Sequence, residues 1–278
     1  PGAFSEIVAA KGGDENAFTS TDYTAYFQTW AAENVGLSFE LEADRMRNLL
    51  LSESEFKSEI KVVLEERRLR TDDNPQALLG ESAHAVAFQT SPYRQPVIGW
   101  AADIQAMDVA DLKKWYQRWY APDNATVVVV GDVDPAAVNA LAIKHFGSLK
   151  RESVKPKRPR PEVEQHGKKT VTVTSDKTRV PYLYMGYKTP VLNSVSEDAG
   201  VAEWEIYALD VLSETLDGGP SARLTQRLIR DSRIAEQVSA NYSSTSRLPD
   251  LFSFSAAPAG KHMLEEVEQA IIAEIEKL

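Results

Sequence analysis

The 278-residue sequence contains no cysteine, which excludes disulfide bonds and thiolate metal sites. Histidine is scarce as well. No two histidines stand at the His-x-x-x-His spacing that would place both imidazoles on one face of a helix. Each histidine is therefore interpreted as a surface or structural residue and not as a metal ligand. The four are His84, His145, His166 and His262.

The sequence also lacks long apolar runs and an excess of positive charge. No apolar run approaches the roughly 20 residues that span a bilayer. The chain has 31 basic and 41 acidic residues, and its net charge of −10 argues against nucleic acid as a partner. With 43% hydrophobic and 26% charged residues it has the composition of a globular protein, and its length suits two domains.

Hydrophobic periodicity predicts an alternation of helices and short strands. A first helix should end at Gly12-Gly13, and a strand hairpin should turn near Ser20-Thr21-Asp22. Further helices are predicted at 37–50, 54–70, 77–87, 109–120, 135–146, 202–216 and 221–230 and from 263 to the end. Further strands are predicted at 125–130 (buried), 170–174, 181–187, 238–243 and 251–256.

The fold class predicted from this order is α+β. Residues 151–168 are rich in proline and charge, which is typical of a linker. The linker would separate an N-terminal domain, 1–150, from a second domain, 169–278. The order of helix, break, strand pair and helix occurs in both 4–50 and 221–278, so two related domains with mainly antiparallel sheets are expected. Both ends look truncated, which indicates a fragment of a longer protein.

Two glutamates stand out on the predicted helix 54–70. Glu59 and Glu66 are seven residues apart, which is two helical turns, so both carboxylates lie on one face beside Val62 and Val63. A partly buried pair of carboxylates would have to be paired, protonated or bound to metal. A solvated, salt-bridged helix explains the same spacing, and the spacing alone leaves both interpretations open.

The hairpin offers a second candidate site. Its first strand carries small side chains around Asn16, Ala17 and Thr19, which would let another backbone approach the strand edge. Such an edge can accept an extended peptide as an added strand. An ordinary hairpin with no ligand is the alternative.

Several runs in a fixed order resemble the pitrilysin/insulinase family of zinc metallopeptidases. The run from Pro1 to Thr24, with Gly12-Gly13 and Asn16-Ala17-Phe18-Thr19-Ser20, is similar to the segment that follows the zinc motif in that family. Glu59-x6-Glu66 resembles the downstream glutamate helix. The remaining matches are Arg70-Thr71-Asp72-Asp73-Asn74-Pro75, Ser91-Pro92-Tyr93-Arg94-Gln95-Pro96-Val97-Ile98-Gly99, and Trp119-Tyr120-Ala121-Pro122-Asp123-Asn124-Ala125 with Gly131-Asp132-Val133.

The resemblance implies a zinc endopeptidase in which an H-x-x-E-H motif supplies two histidine ligands and the general base. By this match Glu66 is the third zinc ligand and Glu59 is the supporting acid. The same match implies that the edge that binds the peptide substrate consists of Asn16, Ala17, Phe18 and Thr19. No H-x-x-E-H occurs in this sequence, so the chain by itself should hold Zn²⁺ weakly and be inactive.

The resemblance also implies a partner. The family segment around Arg230 carries an arginine and, seven residues later, a tyrosine that acts on the substrate. Here that tyrosine position holds Glu236 or Gln237. A homologous subunit or half would then supply the pair, leaving Arg230 a weak candidate. A non-catalytic partner subunit of the same family is the alternative, and an unrelated α+β binding module is a third. Relatives of this type are often exported to the bacterial periplasm.

Overall fold

The computed structural model describes residues 2–151, 153–154, 160–196 and 200–278. None of the helices in these ranges combines the length and apolar character needed to cross a bilayer. The elements in chain order are α1 (Ala3–Ala10), β1 (Asp14–Thr19), β2 (Thr24–Thr29), α2 (Val35–Asn48), α3 (Glu53–Arg67), α4 (Pro75–Ala87), α5 (Ala101–Ala106), α6 (Val109–Trp119), α7 (Pro135–Phe146), β3 (Leu183–Thr189), α8 (Glu203–Asp217), β4 (Ala235–Asn241), β5 (Asp250–Pro258) and α9 (Leu264–Ile275). The predicted α+β class is confirmed.

The chain divides into two compact units, each made from two stretches of sequence. Unit 1 comprises Pro1–Glu66 and Val97–Pro159, and unit 2 comprises Arg67–Pro96 and Arg160–Leu278. The domain boundaries predicted at 151–168 stay a prediction. Residues 152 and 155–159 of that predicted linker lie outside the described part of the chain.

Unit 1 opens with α1 and the hairpin, both as predicted. Gly12 has a φ of +70°, the left-handed conformation that commonly ends helices. A Cβ at Gly13 would lie 2.9 Å from side-chain atoms of both Val8 and Trp30, so only glycine fits there. β1 and β2 then pair in antiparallel fashion, with Ala17 opposite Tyr26.

The rest of unit 1 is helical and sparsely packed. α2 and α7 lie together, with the rings of Phe39 and Phe146 6.1 Å apart. The prediction of a buried strand at 125–130 is wrong for the described structure. This segment pairs with no described strand, and Val127, Val128 and Val130 are 56%, 77% and 91% exposed. High β-propensity does not form a strand when no neighbouring strand supplies the hydrogen bonds.

Unit 2 is built on a three-stranded antiparallel sheet in the order β3-β5-β4. The predicted strand pair at 238–243 and 251–256 is confirmed as β4 and β5, whereas 170–174 forms no strand in the described structure. The predicted helix 221–230 contains a π-helical stretch, Thr225–Asp231. α8 and α9 cover the sheet. They bury a contiguous core that consists of Leu216, Leu224, Leu228, Ala235, Val238, Ala240, Phe252, Phe254, Ala256, Val267 and Ile271.

Glu162 is fixed within unit 2 by an unusually dense set of donors. Its carboxylate accepts hydrogen bonds from the backbone N–H groups of Gln89, Thr90 and Ser91, each at 2.9 Å, and from Lys188 Nζ at 2.9 Å. Burial acts to raise the pKa of Glu162. The amides of Ser91 and Gln89, the Lys188 ammonium and the amide of Thr90 outweigh that effect and lower the pKa to about 2.

Replacing Glu162 with glutamine should destabilise unit 2 by about 2 kcal/mol at pH 7, since charge-assisted hydrogen bonds are lost. Because the folded pKa is depressed, the stabilisation is complete above the unfolded value of about 4.3 and is lost as pH falls towards about 2. Urea unfolding of both proteins at several pH values measures this. A difference in stability that stays constant from pH 7 to pH 3 contradicts the assignment.

Candidate functional site

The outer edge of β1 presents exposed strand backbone in unit 1. Ser20 N–H donates to Tyr23 O at 2.8 Å at the hairpin turn. Hydrogen bonding alternates along an antiparallel ladder, so Asn16 and Phe18 bond to β2 while Glu15, Ala17 and Thr19 direct their backbone groups away from it. No described strand pairs with that outer edge. Asn16, Ala17, Phe18 and Thr19 are all exposed.

The side chain of Asn16 already contacts this edge. Its Oδ1 accepts a hydrogen bond from the N–H of Ala17 at 2.8 Å. The outward N–H of Ala17 is therefore satisfied without an added strand. An extended peptide that bonds to Ala17 would have to replace this contact.

Behind the hairpin lies a group of aromatic side chains that the sequence did not predict. The hydroxyls of Tyr26 and Tyr120 are hydrogen-bonded to each other. The Arg45 guanidinium lies 4.2 Å from the ring centroid of Phe4 and 4.3 Å from that of Tyr26. Burial, together with the bond to Tyr26, raises the pKa of Tyr120 well above its usual range. These contacts fix β2, and through the hairpin β1, against the helices of unit 1.

Glu59 and Glu66 lie on α3, two turns apart as expected. Glu66 is half-buried, whereas Glu59 is exposed and Val62 beside it is 56% exposed. The expectation of a partly buried carboxylate stripe therefore holds at Glu66 and fails at Glu59. The basic neighbours have acidic partners of their own: Lys57 pairs with Glu53, Arg67 with Glu81 and Arg68 with Asp73.

Arg67, the last residue of α3, is a buried cation in unit 2. It is 5% exposed and forms a two-pronged contact with Glu81, from Nη1 to Oε2 at 2.8 Å and from Nη2 to Oε1 at 2.9 Å. Asp72 lies 3.2 Å from its Nη2. Hydrogen bonding to Glu81 is the main cause of a raised pKa at Arg67.

The histidines have roles that fit the structural interpretation. His84 Nδ1 lies 3.0 Å from Gly80 O, and its ring packs against Phe88 and Tyr184. His262 contacts Glu266 at 3.1 Å. Within the described residues, no three His, Asp or Glu side chains are grouped closely enough to hold a metal ion. The described residues alone therefore do not make up a zinc site.

Arg230 is exposed and lies in the π-helical stretch of unit 2. Glu236 and Gln237, the two residues at the expected tyrosine position, are exposed on β4. Neither carboxylate nor amide provides the phenol that the family segment carries. That a homologous subunit or half supplies the arginine and tyrosine pair stays a prediction.

The structure thus combines α+β units, an open edge on β1 and a helix that carries Glu59 and Glu66. Residues 2–100 match the insulinase (peptidase family M16) domain, and residues 106–278 match the peptidase M16 inactive domain. The chain belongs to peptidase family M16, and the predicted family is thereby confirmed.

Relatives and solved structures agree with this membership. The zinc protease PqqE of Helicobacter pylori is 37% identical over 281 residues, covering 100% of this chain and 61% of the relative. A crystal structure of a protease from Helicobacter pylori superposes with a TM-score of 0.90 at 36% identity, over 99% of this chain and 65% of that one. The periplasmic protease PqqL of Escherichia coli shares the fold, with a TM-score of 0.71 at 20% identity over 94% of this chain and 28% of that one. The chain thus spans about three fifths of the length of the PqqE relative.

Proposed function

We propose that the complete protein is a zinc-dependent endopeptidase, to which this chain contributes Glu66 as a metal ligand and β1 as a substrate-binding edge. The main support is the exposed outer edge of β1 in a chain that is 37% identical, along its whole length, to a zinc protease. Peptides or small unfolded proteins in extended conformation are the substrates that such an edge would accept. Cleavage would take place in a closed chamber.

The residues of this chain would bind and orient the peptide. Outward backbone groups of Glu15, Ala17 and Thr19 would form a ladder with an extended substrate, and Asn16 would release the N–H of Ala17 to it. Glu59 would support Glu66 from two helical turns away on α3. Zinc, when bound, lowers the pKa of a water molecule and polarises a carbonyl group. Two histidines and the general base would come from an H-x-x-E-H motif outside these 278 residues.

The proposal extends to a partner and a compartment. A homologous subunit or half would supply the arginine and tyrosine pair, because Glu236 and Gln237 occupy the tyrosine position beside Arg230. The shared fold with a periplasmic protease supports a periplasmic location.

A non-catalytic partner subunit of the same family is the second candidate. It is favoured by the match of residues 106–278 to the inactive M16 domain. The two candidates differ in metal content, because only the peptidase needs stoichiometric zinc.

Metal removal from the complete protein tests the proposal. We expect about one zinc per protein by atomic absorption, and loss of fluorogenic-peptide hydrolysis after chelation, with recovery on adding Zn²⁺. A protein without zinc that is inactive alone, and that activates a homologous subunit on mixing, would instead be the non-catalytic partner. A protein that hydrolyses peptides equally well without any metal contradicts both candidates.

The strand edge is tested by Ala17→Pro in the complete protein. Proline removes the outward N–H of Ala17 but no hydrogen bond to β2, so substrate pairing should weaken while the hairpin persists. We expect KM to rise about tenfold, the loss of roughly one good hydrogen bond, with zinc content unchanged. Thr21→Pro in the exposed turn is the matched control and should leave KM as it is. Equal effects of the two prolines would indicate damage to the hairpin.

A further inference from the structure

Helix α8 of unit 2 has two opposite faces, and each face carries a stripe of apolar side chains. The inner face is buried: Ile206 and Leu216 are fully buried, and Leu209 and Leu212 pack against the core cluster that contains Leu216. The outer face carries Trp204, Tyr207 and Val211, which are 69%, 50% and 66% exposed. These three residues are called the outer stripe of α8.

The spacing of the outer stripe matches a helix-packing surface. Residues 204, 207 and 211 follow the i, i+3, i+7 pattern, so their side chains form one line about 10 Å long. Single exposed apolar side chains are ordinary, but a line of them that includes a tryptophan and a tyrosine has the composition of an interaction surface. The outer stripe is not required for the core, because the opposite face of α8 already supplies that packing.

Charge restricts what can cover the outer stripe. α8 contains five acidic residues and no basic one, and two of the five, Glu203 and Glu214, are exposed. Glu203 borders the stripe and accepts a hydrogen bond from the hydroxyl of Tyr207 at 2.8 Å. Two copies of α8 packed face to face would bring like charges together, which disfavours a symmetric contact between copies. A covering segment with lysine or arginine beside its apolar residues would instead match both the apolar stripe and the negative charge of α8.

We propose that the outer stripe of α8 is a docking surface for a helix of a protein partner, one that carries apolar residues at helical spacing flanked by lysine and arginine. Trp204 and Val211 are the apolar anchors. The exposed carboxylates of Glu203 and Glu214 select the charge of the partner. This proposal is independent of the zinc chemistry, since it uses no residue assigned to that site.

Two synthetic helical peptides with the same leucine face test the proposal, one with lysine and the other with glutamate at the flanking positions. Fluorescence anisotropy with the complete protein should give at least about tenfold tighter binding of the lysine peptide, and its affinity should fall as salt is added. Equal affinity for the two peptides, or no binding of the lysine peptide, overturns the proposal.

Variants locate the binding surface. Trp204→Ser combined with Val211→Ser should weaken binding of the lysine peptide at least about tenfold, with the circular dichroism spectrum retained. Leu50→Ser removes another apolar side chain, 86% exposed in unit 1, and should not change the affinity. If the double variant of the complete protein binds as well as the unchanged complete protein, the outer stripe is not the docking surface.

Accessibility in the complete protein decides whether another part of the same polypeptide covers the stripe. Because these 278 residues contain no cysteine, Val211→Cys introduces the only thiol within them. Rapid maleimide labelling at this position in the complete protein, slowed by the lysine peptide, supports an external partner. A thiol that is already shielded without any peptide assigns the surface to the protein's own chain and overturns the proposal.

Discussion

Replacing Glu66 with glutamine should remove zinc from the complete protein and abolish peptide hydrolysis. The substitution keeps the size of the side chain but removes the anionic oxygen donor that a divalent zinc ion requires. Loss of groups that only support a metal ligand typically costs 10- to 100-fold, so loss of the ligand should lower metal affinity and activity by more than about 100-fold. Zinc analysis and kcat/KM of the purified protein measure both effects.

Two neighbouring glutamates provide a graded comparison. Glu59→Gln should lower zinc affinity by about 10- to 100-fold, as expected for a supporting acid. Glu65→Gln changes an exposed carboxylate next to Glu66 and should leave zinc content and activity unaltered. The ligand assignment fails if Glu66→Gln retains stoichiometric zinc, or if Glu65→Gln is as damaging as Glu66→Gln.

Removing the acidic partner of a buried arginine should produce the largest change in stability. Glu81→Ala would leave Arg67, which is 5% exposed, without its two-pronged contact and should destabilise unit 2 by about 3–5 kcal/mol. Glu53→Ala removes the partner of Lys57 in an exposed pair and should cost at most about 1 kcal/mol. Urea unfolding followed by circular dichroism compares the two.

A double variant separates the cost of a lone charge from the value of the pair. Arg67→Met combined with Glu81→Leu replaces both charges with apolar groups of similar volume, which is often neutral or stabilising. The double variant should therefore recover most of the stability that Glu81→Ala loses. A double variant as unstable as Glu81→Ala would show that Asp72 or the shape of the site, not the lone charge, dominates.

Local sequence signals predicted those elements whose stabilising contacts are close in the chain. α7 begins and ends where predicted because Asp134 caps Pro135–Phe146 and accepts a hydrogen bond from the N–H of Ala136. The hairpin follows from a short turn between two segments of high β-propensity. The position of Glu66 on the same helix face as Glu59, two turns further on, follows from helical geometry alone.

Contacts between residues that are distant in the sequence explain which ion pairs and hydrogen bonds the sequence did not predict. Arg67 lies in the predicted helix 54–70, but its partner Glu81 comes from α4. Glu162 lies in a segment of linker-like composition, and its donors at 89–91 and at Lys188 are remote in the sequence. Neither pairing has a local sequence signature, because the partner of each charged residue comes from a segment that is remote in the chain.

The six residues from Ala125 to Val130 have a consequence for handling the protein. They contain no charge, proline or glycine, and four of them are consecutive valines. An exposed window of this kind is a template for cross-β aggregation. This chain expressed by itself should therefore accumulate as insoluble aggregates, and a lysine gatekeeper at Val128, which is 77% exposed, should improve its soluble yield.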